Sequence, residues 1–193
     1  MKYKMTHRYL HRYLGYALYI SVVLFLFGPI FIAPFLASAS PQMFEFLHIV
    51  YSPLCHQLTA RSLCYFQNGS ILDCIQPGIN NSEINVSEKQ RIVSSHGILG
   101  YKFPVCARDF AMYGAMIIGG AIFPLLRKID SEDTPRFLYF AIALVPIALD
   151  GGAQILGLRQ STNELRLITG FIAGIVIPFY AIPMFNMFLH RSK

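Results

Sequence analysis

The stretch PVCARDFAMYGAMIIGGAIFPLL, residues 104–126, decides the fold of this chain. It places Cys106, Arg108 and Asp109 directly before an apolar run long enough to cross a bilayer as a helix, which needs about 20 residues. Charged residues near a membrane are costly, and they usually mark a site or a buried pairing. The stretch therefore predicts a transmembrane helix with a polar site at its first turn.

The composition shows that most of the chain uses lipid as its solvent. Of 193 residues, 54% are hydrophobic and 13% are charged, and the mean hydropathy is +0.48. Soluble domains carry about 25% charged residues, so this chain lacks the polar surface that would cover a globule in water. Apolar runs of similar length lie at residues 14–36, 137–158 and 167–189.

The predicted architecture is an all-α integral membrane protein, a single membrane domain over residues 1–193. Its four transmembrane helices are expected at residues 14–36, 105–126, 137–158 and 167–189. The long loop 37–104 contains a short amphipathic helix, because apolar residues recur at helical spacing between Phe44 and Leu63. We expect that helix to lie in the headgroup region of the membrane.

Basic residues set the orientation of the predicted spans. They precede the first span, flank the link after the second and close the chain: Lys2, Lys4, Arg8, Arg12, Arg127, Lys128, Arg136, Arg191 and Lys193. By the positive-inside rule both termini are cytoplasmic and loop 37–104 is extracytoplasmic, in a multi-pass protein of the cell membrane. The net charge of +6 fits this rule and attraction to anionic lipid, and no basic face suited to nucleic acid is present.

The long loop carries three N-x-Ser glycan acceptors, at Asn68, Asn80 and Asn85. Their position on the side that charge assigns as external predicts a glycoprotein. Glycosylation of this kind implies an archaeal or eukaryotic cell.

All four cysteines lie in this loop or at its exit, at Cys55, Cys64, Cys74 and Cys106. Disulfides persist outside the cytosol, so this placement favours two of them. Cys64 and Cys74 bracket a short polar segment and would close it as a local ring. Cys55 would then pair with Cys106 and tie the start of the loop to the second span.

A metal or thiol-redox site is the alternative for the second pair. Cys55, His56 and Cys106 offer soft ligands, and Asp109 could be a fourth. A Cys-His dipeptide suits one ion poorly, because adjacent side chains diverge in a helix or a strand. No cofactor is therefore predicted, and a metal ion or a free thiol stays the alternative.

Asp150 is the strongest anomaly within the apolar runs. A carboxylate at membrane depth usually faces the bundle and has a partner, so we expect an ion pair with Arg108. Around this pair the sequence predicts a polar network that also contains Asp109, Gln154, Arg159 and Arg166. Proton or cation transport through Asp150 is the alternative, although the inner halves of the spans carry no further ionisable residue.

Spaced motifs over residues 50–175 resemble a known family. They are Cys55-His56-Gln57, Arg61-Ser62, Pro104-Val105-Cys106-Ala107-Arg108, Asp150-Gly151 with Gln154, and Arg159-x-Ser161-x-Asn163-x-x-Arg166 with Gly170. In this order they are similar to those of an uncharacterised family of small prokaryotic integral membrane proteins, a domain of unknown function. The resemblance implies a second cysteine at the position of Asp109 in many relatives, so its absence here weakens the case for a redox or zinc site, and the segment 64–88 resembles an insertion. The resemblance implies an architecture and no activity.

No hydrolase triad, phosphate loop, nucleotide fingerprint or histidine-rich metal constellation occurs in the sequence, so independent catalysis is not expected. The leading hypothesis is a non-catalytic accessory subunit of a larger membrane enzyme complex, with lipid and other integral membrane subunits as partners. Respiratory oxidases and copper membrane monooxygenases, such as archaeal ammonia monooxygenase, are the classes of host considered. The alternatives are an outward-facing metal-binding or thiol-redox membrane protein and a small transporter that uses Asp150.

Overall fold

The computed structural model describes residues 2–75, 89–95 and 97–191 and contains six α-helices in that part of the chain. The helices are α1 (Lys2–Ala39), α2 (Pro41–Tyr51), α3 (Ala107–Leu126), α4 (Phe137–Ile155), α5 (Asn163–Val176) and α6 (Pro178–Arg191). Four stretches are long and apolar enough to cross a membrane: Tyr13–Ala39, Ala107–Leu126, Phe137–Ile155 and Asn163–Leu189. The prediction of a mostly helical protein with four membrane-spanning helices is confirmed.

The fourth span differs from the predicted 167–189 at its start. Helix α5 already begins at Asn163, because the hydroxyl of Thr162 accepts a hydrogen bond from the N–H of Leu165 at 3.3 Å and caps the helix. Because the side chains in this first turn are polar, the search for apolar runs placed the start of the span too late. The span is also divided at Ile177, where Pro178 begins α6.

The third span is shorter than the predicted 137–158. Helix α4 ends at Ile155, and Gly157 follows with a φ of 69°, a left-handed conformation that terminates many helices.

The loop between the first two spans contains a small sheet that the sequence did not predict. Its antiparallel strands are β1 (Leu63–Phe66), β2 (Ile71–Asp73), β3 (Ile92–Ser95) and β4 (Ile98–Lys102), in the order β2-β1-β4-β3. Gly100 lies opposite Phe66, and a Cβ there would lie 2.6 Å from the phenyl ring, so only glycine fits. The strands are short and β1 pairs with β4 across a long separation, which leaves little local signal.

Helix α3 packs most closely against α5. A Cβ at Gly170 would lie 2.2 Å from the carbonyl oxygen of Arg108, and one at Gly174 would lie 2.2 Å from that of Met112. The Gly170-x-x-x-Gly174 spacing thus allows the two backbones to touch, as small residues do in membrane bundles. On its other side α3 meets α1, where the rings of Phe27 and Tyr113 stack at 3.8 Å.

Candidate functional site

The segment after α2 is held against the start of α3 by Gln57. This residue is 3% exposed and has a φ of 55°, which directs its side chain inward. Its Nε2 donates to the carbonyl oxygens of His48 at 2.7 Å and Pro104 at 2.8 Å. One amide therefore joins α2 to the residues that lead into α3, and it brings Cys55 beside Cys106.

Cys55 and Cys106, which we call the dithiol pair, are both free thiols in the structure. The Sγ of Cys55 accepts hydrogen bonds from the backbone N–H of Cys106 at 3.2 Å and from that of Gln57 at 3.4 Å. The thiol of Cys106 donates to Oδ2 of Asp109 at 3.0 Å. The structure thus contains both thiols in reduced form, side by side, where the sequence predicted a second disulfide.

The two thiols differ in acidity. The neighbouring side chain of Cys106 lowers the pKa of Cys55, and the N–H groups of Gln57 and Cys106 add to this effect, against burial and the negative charge of Asp109. The same contact with Cys55, together with burial and the negative charge of Asp109, raises the pKa of Cys106. Since the thiolate is the reactive form of cysteine, Cys55 is the more reactive thiol of the pair.

The sulfur atoms of the dithiol pair and a carboxylate oxygen of Asp109 all lie within 4.8 Å of one another, close enough to share a metal ion. Two thiolates and a carboxylate suit a borderline ion such as zinc. His56, which the sequence grouped with them, is exposed and lies outside this cluster. Neighbouring side chains diverge, so a chain that turns Cys55 inward turns His56 outward.

Behind the dithiol pair lie two buried basic residues that the sequence did not single out, Lys102 and His48, both 0% exposed. The Nζ of Lys102 donates to the carbonyl oxygen of Gln57 at 2.5 Å, and burial lowers the pKa of Lys102 to about 8 while Cys55 opposes that shift. Burial lowers the pKa of His48 to about 4, so its ring is neutral at pH 7. Burial alternates along β4 and turns Gly100 and Lys102 inward, but this alternation is visible only once the strand is known.

The other cysteine pair is joined. A disulfide between Cys64 and Cys74 links β1 to the end of β2, with the two Cα atoms 4.9 Å apart. Between these strands Asn68 lies exposed in a turn, and its Oδ1 accepts hydrogen bonds from the N–H and the hydroxyl of Ser70. The predicted glycan acceptors Asn80 and Asn85 lie outside the described residues.

Asp150 is 4% exposed and forms the centre of the polar network. Its Oδ2 pairs with Arg108 and accepts from the hydroxyl of Ser161 at 2.8 Å, and its Oδ1 lies 3.1 Å from Nη2 of Arg159. Both carboxylate oxygens are thus occupied, which gives transport through Asp150 no support. The sequence analysis named Ser161, in the link between α4 and α5, only as part of a family motif and not as a member of this network.

Arg166 forms the second half of the network. Its Nη1 donates to Oδ1 of Asn163 at 2.7 Å and its Nη2 to Oε1 of Gln154 at 3.3 Å. Asp109, which the sequence placed in this network, instead accepts from Cys106. Successive residues of a helix project about 100° apart, so Arg108 and Asp109 serve different neighbours.

Comparison with known proteins places this architecture in a family. The family model described as "Predicted membrane protein (DUF2085)" matches residues 90–180. An uncharacterised protein of Methanocaldococcus jannaschii is 34% identical over 169 residues, which cover 84% of this chain and 87% of the relative. The chain belongs to this family of membrane proteins. An uncharacterised protein of Methanothermobacter thermautotrophicus is 34% identical over 93 residues, 47% of this chain and 80% of that relative.

The match to the DUF2085 model contains Cys106, Asp109, Asp150 and Arg166, so most of the site lies inside it. Cys55 lies before the matched residues, in the segment that Gln57 holds against α3. No solved structure matches the chain. Membership of the DUF2085 family thus confirms the predicted resemblance to an uncharacterised family of membrane proteins, and the relatives named here carry no activity in their descriptions.

Proposed function

We propose that this protein is an outward-facing thiol–disulfide exchange protein of the cell membrane, with the dithiol pair as its reactive centre. The observation that carries the proposal is the position of the Cys55 sulfur, which accepts from two backbone N–H groups while the Cys106 thiol lies beside it. Such donors stabilise a thiolate, and a second thiol within reach can complete an exchange.

The chemistry follows from the roles of the two thiols. The thiolate of Cys55 attacks one sulfur of a disulfide in a partner, which forms a mixed disulfide and releases one partner thiolate. Cys106 then loses its proton to the carboxylate of Asp109 and attacks the Cys55 sulfur. The Cys55–Cys106 disulfide forms, the second partner thiolate leaves, and the partner disulfide has gained the two electrons that the dithiol pair has lost.

Charge and cysteine placement support an outward orientation for this centre. Basic residues flank the ends of the spans remote from the dithiol pair, which favours cytoplasmic termini and an extracytoplasmic loop 37–104. The Cys64–Cys74 disulfide in the same loop fits an oxidising compartment. His56 is exposed, so an ion bound here would have three described protein ligands, one fewer than a structural zinc site uses.

Equilibration with glutathione tests the proposal. We expect two thiols per chain to be lost together as the buffer becomes more oxidising and to return when it is made reducing, while Cys64 and Cys74 stay joined. Alkylation followed by mass measurement counts the thiols and locates them. Thiols that stay reduced at every glutathione ratio, or a stoichiometric metal ion in the purified protein, would argue against redox exchange.

A second candidate is the accessory subunit that the sequence favoured, and the exposure of α4 supports it. Only 6% of the most apolar stretch of Phe137–Ile155 is buried, and α4 packs mainly against α5. Its apolar side chains, including Phe137 and Leu149, are exposed to lipid or to helices of a partner subunit. Purification in a mild detergent is then expected to recover a larger complex, and recovery of the 21.8 kDa chain by itself would contradict this candidate.

A further inference from the structure

The polar network contains more positive than negative charge. Four arginines, which we call the arginine cluster, surround it: Arg61, Arg108, Arg159 and Arg166. Asp150 is the carboxylate that pairs with members of this cluster, and it is shared by Arg108 and Arg159. Asp109 is engaged by the Cys106 thiol, and Glu164 on α5 is exposed and forms no ion pair with a described residue.

Arg166 is the member whose charge is least compensated. It is 5% exposed, and its hydrogen-bond partners Asn163 and Gln154 are neutral amides, so it forms no ion pair with a described carboxylate. Arg61 and Arg108 lie close enough to repel its guanidinium group, and Asp150, which is already shared by two other arginines, attracts it without a direct contact. A buried cation without an anion is costly, since the amides replace the hydrogen bonds of water and leave the charge unpaired.

Two further cations in the cluster have unused hydrogen-bonding capacity. The guanidinium group of Arg61 makes no hydrogen bond or ion pair with a described residue, and Nε of Arg108 is buried without a hydrogen-bond partner. Arg61 is brought next to Arg166 by Asn163, whose Nδ2 reaches the carbonyl oxygen of Ala60 at 3.5 Å and whose Oδ1 accepts from Arg166. The donors of Arg61 and Arg108 that have no described partner therefore lie close to Arg166.

The cluster is reachable from outside the bundle. Arg159 has 56% of its side chain exposed. Beside Asp150, a Cβ at Gly151 would lie 3.5 Å from Nη1 of Arg108, so the glycine lets this guanidinium group lie against the backbone of α4. The exposed side chain of Arg159 is therefore the part of the cluster that an anion meets first.

We propose that the arginine cluster is a binding site for a phosphate-class oxoanion, taken from the headgroup of an anionic phospholipid or from a free phosphate compound. Guanidinium groups bind such anions through paired N–H donors, and basic pockets between membrane helices bind anionic headgroups. The anion supplies the negative charge that Arg166 lacks and accepts from the free donors of Arg61 and Arg108.

Binding is measured on the purified full chain in a neutral detergent after lipid removal. One arm adds inorganic phosphate, and the other adds phosphatidylglycerol in mixed micelles, with phosphatidylcholine as the uncharged comparison. Bound phosphorus per chain and the shift of the thermal unfolding midpoint are the readouts. We expect about one site per chain. A response to phosphatidylglycerol alone identifies a lipid headgroup, and a response in both arms identifies a site open to free phosphate.

Arg166→Gln is expected to weaken binding by at least about tenfold, because the buried guanidinium group is the main uncompensated charge. Arg127→Gln is the matched control, since Arg127 lies at the opposite end of α3 and donates to the carbonyl oxygen of Asp133. Its binding should equal that of the unmodified chain.

Should Arg166→Gln fail to fold, Arg159→Gln replaces it, because that side chain is more than half exposed. The proposal is overturned if neither phosphate nor phosphatidylglycerol binds, or if Arg127→Gln weakens binding as much as the cluster variants do. Anion binding does not require thiol exchange, so a negative result in the redox experiment would not contradict this proposal. The two proposals can therefore be tested separately.

Discussion

Replacing Cys55 by serine is expected to slow reduction of a model disulfide by more than about 100-fold, because a hydroxyl cannot replace the thiolate as nucleophile. Cys106→Ser should behave differently. Its Cys55 still attacks, but no second thiol resolves the intermediate, so a mixed disulfide with the substrate accumulates. The reaction with a disulfide-bonded peptide is stopped at intervals, and mass spectrometry then measures the reduced peptide and the mixed disulfide.

The pH dependence provides a check on the assignment. The pKa of Cys55 is lowered in the folded protein, so its alkylation by iodoacetamide should persist below the pH at which an ordinary thiol, with a pKa of about 8.5, becomes unreactive. Because the pKa of Cys106 is raised, that thiol should stay protonated and slow over the same range. The assignment of Cys55 as the attacking thiol would be excluded if Cys55→Ser and Cys106→Ser reduced the model disulfide at equal rates. It would also be excluded if the alkylation of Cys55 followed the pH dependence of an ordinary thiol.

Asp150→Asn is expected to lower the free energy of unfolding by about 3 to 5 kcal/mol, since removing one partner of a buried ion pair leaves the other charge unpaired. The carboxylate is 4% exposed and pairs with Arg108 and Arg159, which come from different parts of the chain. Reversible unfolding in mixed micelles, followed by far-ultraviolet circular dichroism, gives the difference.

Glu164→Gln is the matched control for Asp150→Asn. It makes the same chemical change at an exposed carboxylate in the first turn of α5, where a charge near a helix start contributes about 0.3 to 1 kcal/mol. If Asp150→Asn costs no more than this control, the ion pair is not a structural element of the bundle. Transport through Asp150 would instead require a loss of flux at unchanged stability.

The lengths of the apolar runs were enough to predict the spans, because every segment that crosses lipid must satisfy its own backbone hydrogen bonds. The run 105–126 gave the bounds of α3 almost without error. The start of α5 was harder, since Asn163 and Arg166 are polar in sequence yet buried in the network. Local composition cannot reveal that such residues find partners in a neighbouring helix.

The sheet and the site depended on long-range pairing, for which a single sequence holds little signal. The charged pair Arg108 and Asp150 could be anticipated because both are anomalous among apolar residues. Lys102 and His48 could not, because each looks like an ordinary polar residue of a loop. Asp109 was assigned both to the polar network and to the alternative metal site with the cysteines, and the structure brings it to Cys106.

Cys106 is the N-cap of helix α3 and Arg108 lies in the first turn of that helix, so a single rigid element belongs to both the dithiol pair and the arginine cluster. Its backbone touches α5 at Gly170, which leaves it little freedom to move by itself. If oxidation of the sulfurs and anion binding each displace this element, thermodynamic reciprocity requires oxidation to change the affinity for anions by the same factor as anions change the equilibrium constant of oxidation.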